Sequence, residues 1–189
     1  MATQGFTLFE TPIGSCGIAW GERGIVGLQL PEATEGKARQ RMARRFPEAQ
    51  EGAPPPDVRR AIDAIVALLN GGPSDLSAIA LDMDGVAEFE HRVYDIARAV
   101  PPGETLTYGE VAARLGDPAA ARDVGQALGK NPFPIVVPCH RILAARGKAG
   151  GFSARGGVAT KMRMLTIERA RTNNTPALFD DLPLATRRR

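Results

Sequence analysis

Histidine and cysteine are scarce in this chain, two of each in 189 residues. Two cysteines exclude a disulfide scaffold. Cys16 lies in a strand-like segment, where a small buried hydrophobe is the ordinary role. A structural zinc site takes about four ligands; apart from one adjacent Cys-His pair the candidates are Cys16 and His91, singletons without ligand spacing, so no metal is expected. No apolar run approaches the roughly 20 residues of a membrane-crossing helix. Residues 1–10 have neither the basic start nor the apolar core of a signal peptide. A cytoplasmic location is expected, where a free thiol stays reduced.

The remaining cysteine and histidine are adjacent, in Ile135-Val136-Val137-Pro138-Cys139-His140-Arg141-Ile142-Leu143. An apolar run ends in proline, a thiol, an imidazole and a guanidinium follow, and the chain turns apolar again. Cationic and basic neighbours raise the population of thiolate, the nucleophilic form. Neighbouring residues of a strand point to opposite faces. His140 can therefore serve Cys139 only if the backbone turns there, and Pro138 favours such a departure.

Upstream, Thr107-Tyr108-Gly109-Glu110 has the form of a capping box. It predicts a helix over 108–115 with Val111, Ala112 and Leu115 inward, closed by Gly116. Asp117-Pro118 then reads as an N-cap and a first-turn proline, opening a second helix over 118–129. Helix, glycine turn, helix is a helix-turn-helix pattern, and the alanines of the second helix leave little bulk between it and a partner surface. Residues 1–88 hold 8 Lys and Arg against 12 Asp and Glu, whereas residues 89–171 hold 13 against 7. The half with the nucleophile is thus the basic half, as a phosphate-facing surface requires.

The N-terminal part shows no chemistry. Segments 6–10, 16–20 and 25–30 read as strands joined by turns at Pro12-Ile13-Gly14-Ser15 and Gly21-Glu22-Arg23-Gly24. Residues 32–46 read as a helix bearing Lys37, Arg39, Arg41, Arg44 and Arg45, most simply a solvated basic face, with contact to nucleic acid as the alternative. After Pro54-Pro55-Pro56, Asp57 is expected to cap a helix reaching Asn70, with Ile62, Ile65, Val66 and Leu69 inward. A further strand is expected over 76–81.

Pro138-Cys139-His140-Arg141 resembles the active-site signature of the O6-alkylguanine-DNA alkyltransferases, the methylated-DNA–protein-cysteine methyltransferases. Tyr108-Gly109-Glu110-Val111-Ala112, Ala120-Ala121-Arg122-Asp123-Val124-Gly125, Asn131-Pro132, Gly150-Gly151-Phe152-Ser153, Lys161 and Glu168 extend the resemblance, in order, over roughly residues 87–171. It implies an α+β protein: a small N-terminal α/β domain with an antiparallel sheet (1–84), a mostly helical C-terminal domain carrying the helix-turn-helix and the cysteine (85–171), and a disordered tail (172–189) in which 178–182 is a candidate docking segment.

The resemblance also implies an activity: irreversible, stoichiometric transfer of an alkyl group from O6-alkylguanine in duplex DNA, with O4-alkylthymine as a second candidate, to Cys139. The protein would act once, as a monomer on the minor groove, without a cofactor. His140, reached through a water, and Glu168 match the base and its orienter, Asn131 the brace of the active-site turn, and Arg141 an anchor of that segment. Tyr108, Gly109, Ala121, Arg122 and Ala145 match DNA-contacting positions, with Arg122 filling the space of the flipped base. Tyr108, Ile142, Phe152, Ser153 and Lys161 match the lesion pocket. Two departures stand out: Phe152 replaces the tyrosine of better-known members, and the loop between Phe152 and Lys161 is two residues longer. A non-catalytic lesion binder, a cysteine hydrolase and a helix-turn-helix regulator are the rival readings. The first would lack Cys139, the second has no use for the helix-turn-helix, and the third leaves the thiol incidental.

Overall fold

The computed structural model describes residues 4–170; the tail expected over 172–189, with its segment 178–182, lies outside them. Strands β1 (Gly5–Phe9), β2 (Cys16–Gly21) and β3 (Gly24–Gln29) form an antiparallel meander. A two-residue β4 (Gln50–Glu51) adds parallel to β1, giving the order β3-β2-β1-β4. Strand alternation splits the side chains between two layers. Cys16, Ile18 and Trp20 enter the main core, while Phe6 and Ala19 pack with Met42 of helix α1 (Glu35–Arg45). Gly17 permits that approach, since a Cβ there would stand 2.7 Å from the Met42 sulfur.

Three N-terminal expectations need correction. Helix α1 begins later than residue 32, because Thr34 caps it by accepting the Lys37 N–H. Asp57 is not a cap. Helix α2 (Pro56–Leu69) starts from extended Pro55 with Pro56 in its first turn, and Asp57 sits inside that turn, where its charge meets the positive helix end. Residues 76–81 form no strand; only Leu81 bridges Ile25. Upstream, Asp75 folds the chain over by accepting both the backbone N–H and the hydroxyl of Ser77.

The C-terminal half opens with α3 (Glu88–Arg98), a helix the sequence reading did not contain. No side chain caps it at Ala87, and its start is marked only by the acidic Glu88 and Glu90 of its first turn. Strand β5 (Leu106–Thr107) leads into α4 (Tyr108–Arg114), and the capping box forms: Thr107 Oγ1 accepts the Glu110 N–H, and Glu110 accepts the Thr107 N–H. Gly116 takes a φ of 85°. Asp117 caps a 3-10 turn (Pro118–Ala120) that runs into α5 (Ala121–Gly129), so the second helix is a tight turn followed by two α-helical ones rather than one continuous element. Tyr94 of α3 donates its hydroxyl to the Ala127 carbonyl at 2.9 Å, locking α5 from behind. Strand β6 (Ile142–Leu143) pairs parallel with β5, and α6 (Val158–Ile167) closes the fold.

One buried apolar cluster joins the two halves, from Ile18 and Leu28 through Ile65 and Val93 to Val124, Val137 and Met164. Among the described residues no helix is long and apolar enough to cross a membrane.

Candidate active site

Cys139 opens a 3-10 turn, Cys139–Arg141, between Pro138 and β6. That turn is the departure from a strand which the Cys-His adjacency demanded. It rests on a strained loop. Ile135, fully buried, has a φ of 77°, a region a β-branched residue enters only when its surroundings force it. Asn131 supplies much of that force. Its Nδ2 donates to the Val137 carbonyl at 2.8 Å and its Oδ1 accepts the Phe133 N–H at 2.9 Å. These two bonds tie the turn after α5 to the segment that carries Cys139.

Behind the thiol lies a buried ionic relay. Glu168 Oε1 is 2.9 Å from His140 Nε2 and accepts from Arg141 Nη2 at 2.9 Å; Oε2 accepts from Arg141 Nε at 2.8 Å. Arg141 Nη1 donates to the Val100 carbonyl. Burial alone would raise the Glu168 carboxyl, but the bonds from His140 and Arg141 overcome it and hold the group at about 2. Burial pushes His140 down, against the pull of Glu168, and leaves the imidazole neutral. With an ionised carboxylate facing Nε2, the proton sits there, and Nδ1 is the free acceptor. That Nδ1 is buried and has no hydrogen-bond partner.

The thiol is a resting acid. Burial raises its pKa, and the Asn131 side chain and the charge of Lys161 offset this only in part. The sequence had suggested that adjacent cations favour thiolate; here Arg141 is committed to Glu168, and desolvation wins. A base is required.

Cys139 lies on the wall of an open cleft of about 730 Å³. Tyr108, Ala121, Arg122 and Gly125 of the helix-turn-helix form one side, and Phe152, Ser153 and Arg155 of the loop before α6 another. Tyr108 is half-buried, and burial raises its hydroxyl pKa, so it is a donor. Ser153 Oγ donates to the Gly129 carbonyl at 3.3 Å, tying the loop to α5. Gly109 and Ala145 are exposed on the surface outside the cleft lining.

Ile142 and Lys161 were expected in the pocket and are not. Ile142 is sealed within β6, and Lys161 points inward, donating to the Ile142 carbonyl with its ammonium 5.9 Å from the Tyr108 ring centre. Burial lowers the Lys161 ammonium to about 8, opposed by the Cys139 charge. The reading also missed a wall. Leu28, Gln29 and Leu30, with Arg41 and Arg45 of α1, line the same cleft. The basic face of α1 was the available signal, read most simply as solvated. Among the described residues no group of His, Cys, Asp and Glu stands together to hold a metal ion.

Fold and site together define a DNA-binding class of protein: a helix-turn-helix laid beside a cleft cysteine and a buried histidine–glutamate pair. The profile of the 6-O-methylguanine DNA methyltransferase DNA-binding domain matches residues 88–170. A methylated-DNA–protein-cysteine methyltransferase of Methanothermobacter thermautotrophicus is 36% identical over 157 residues, 83% of this chain and 81% of that protein. The structure of the Mycobacterium tuberculosis OGT in complex with DNA superposes with a TM-score of 0.71 at 31% identity, covering 89% of this chain and 96% of that one. The O6-methylguanine-DNA methyltransferase of Pyrococcus kodakaraensis gives 0.65 at 27% identity, over 86% and 98% of the two chains. The chain belongs to the methylated-DNA–protein-cysteine methyltransferase family.

Proposed function

We propose that this protein repairs DNA by direct reversal, moving the alkyl group of O6-alkylguanine, and of O4-alkylthymine as a second substrate, onto Cys139. The observation that carries the reading is the Glu168–His140 relay behind a protonated thiol, with an unpartnered His140 Nδ1 as base. The alkylated base cannot be reached inside the stack. It is flipped out of the duplex at a cost of a few kcal/mol, from the minor groove, with α5 against the DNA. Arg122, exposed at the cleft edge, takes the vacated space. Tyr108 turns the lesion's 3′ phosphate, and Gly109, Ala121 and Ala145 give close approach.

In the cleft the base packs against Phe152, and Ser153 reaches O6. The Cys139 proton passes through a water to His140 Nδ1, Glu168 steadies the imidazolium, and sulfur attacks the alkyl carbon. The S–C bond forms as the C–O6 bond breaks, and guanine departs as an anion stabilised by donation from Tyr108. Arg141 keeps Glu168 ionised and in register. Lys161, under Tyr108, supports the floor by holding the Ile142 carbonyl. The thioether product is stable, so each molecule acts once, as a monomer and in a reducing cytoplasm. The units 1–84 and 85–171 divide the labour, the second carrying the chemistry. The Cys139→Ala variant tests the reading: it should bind O6-methylguanine duplex and transfer nothing, and any transfer would put the acceptor elsewhere.

A further inference from the structure

The cleft that holds Cys139 has one charged residue of negative sign in its lining, Glu32, against Arg41, Arg45, Arg122, Lys130 and Arg155. Glu32 is paired with Arg41 and Lys130 with Glu90. No ion pair engages Arg45, Arg122 or Arg155 among the described residues. A cleft lined by cations focuses the field on an incoming polyanion. The positive rim is also not confined to the helix-turn-helix: Arg41 and Arg45 come from α1, in the N-terminal half.

Helix α1 sorts its cations by face. Arg39 is neutralised by Glu35 and Glu51. Arg44 does not line the cleft. Arg45 is held in place over Phe46, its guanidinium carbon 4.9 Å from the ring centre. It donates Nη1–H to the Leu28 carbonyl at 2.9 Å and Nη2–H to the Pro132 carbonyl at 3.2 Å. A guanidinium has five N–H donors in a rigid fork, so the rest stay available on a group already fixed at the cleft edge. Fixing costs entropy in advance and favours an anion with two acceptor oxygens, as a backbone phosphate has.

We propose that α1 is a second phosphate-binding rim, on which Arg45, assisted by Arg41, holds a backbone phosphate of the strand whose base enters the cleft, across from α5. A flipped nucleotide brings its flanking phosphates to the cleft mouth, and this rim and Arg122 then hold the strand from two sides. Glu32 tempers the rim by occupying Arg41. The inference rests on the reading of DNA as the partner.

The experiment is the salt dependence of binding to a duplex carrying one O6-methylguanine, every variant made in the Cys139→Ala background so that no transfer intervenes, with thermal melting as a check on folding. Each phosphate contact contributes about 0.9 to the slope of log K against log salt. Arg45→Gln should flatten the slope by about that amount, Arg45→Lys should restore it, and Arg44→Gln should leave it unchanged. Glu32→Gln should steepen it, and this variant decides the matter if Arg45→Gln does not fold. An unchanged slope in Arg45→Gln, or in Glu32→Gln, overturns the proposal, as does an equal flattening in Arg44→Gln. Lower affinity at unchanged slope, without rescue by lysine, would make Arg45 a strut between β3 and Pro132 and would overturn it too. Failure of the repair reading would appear separately, as wild-type protein that binds duplex and transfers nothing to Cys139.

Discussion

Glu168→Gln isolates the relay. In the wild-type protein the Glu168 carboxyl sits at about 2 against an ordinary 4.5. A carboxyl depressed that far contributes about 3 kcal/mol to folding. The contribution is fully present above pH 4.5 and drains away as pH falls toward 2, because the unfolded chain takes up its proton first. The side chain is fully buried, so solvent does not screen the term. Glutamine removes the pH dependence and adds a cost: Arg141, 5% exposed, keeps its charge and loses its counter-ion, typically about 3–5 kcal/mol. Urea unfolding between pH 7 and pH 2.5 measures both effects. The variant should be less stable at pH 7, and the gap should narrow by about 3 kcal/mol toward acid. Alkyl transfer should fall with it, since His140 loses the carboxylate that orients Nε2. A gap that stays constant with pH would refute the ionised, shared carboxylate on which the mechanism depends.

Three further outcomes follow from the same geometry. Gly150 has a φ of 67°, and a Cβ there would stand 3.1 Å from the Tyr108 hydroxyl; Gly150→Ala should cost about 1 kcal/mol or more and slow transfer from duplex, and a variant with normal melting and normal rate would contradict the placement of Tyr108. Lys161, lowered to about 8 from 10.5, releases its proton on folding before the unfolded chain does, so wild-type stability should rise relative to Lys161→Met between pH 8 and 10.5; parallel curves would show that the ammonium carries no burial penalty. Arg122→Ala should slow repair in duplex by more than it slows reaction with free O6-benzylguanine, and equal losses would remove its role in extruding the base.

Local chemistry was readable where single residues determine it. Thr107 and Glu110 announced α4, Asp117 announced the turn into α5, and Pro138 announced the break that lets His140 lie behind Cys139. Elements fixed by distant contacts were not readable. Helix α3 starts at Ala87 without a capping side chain and is held by Tyr94 bonding across to Ala127, a contact 33 residues away in sequence. Asp57 looked like a cap, but Pro55 and Pro56 set the dihedrals that begin α2. Lys161 was placed in the pocket by the resemblance; the inward face of α6 takes it to the Ile142 carbonyl instead. The α1 wall of the cleft depends on Arg45 meeting Pro132, 87 residues on, and no local pattern encodes that. The relay shows the same division: Cys139, His140 and Arg141 are contiguous and legible, while the identity of their carboxylate came from the resemblance.

The central claim is that Cys139 is the alkyl acceptor and acts once. Intact-protein mass spectrometry after mixing the wild-type chain with a duplex carrying a single O6-methylguanine tests it directly. The predicted result is a gain of one methylene per protein, mapped to Cys139 and saturating at one equivalent of lesion. Lesion-selective binding with no mass change, or methyl transfer mapped to Cys16, would contradict it.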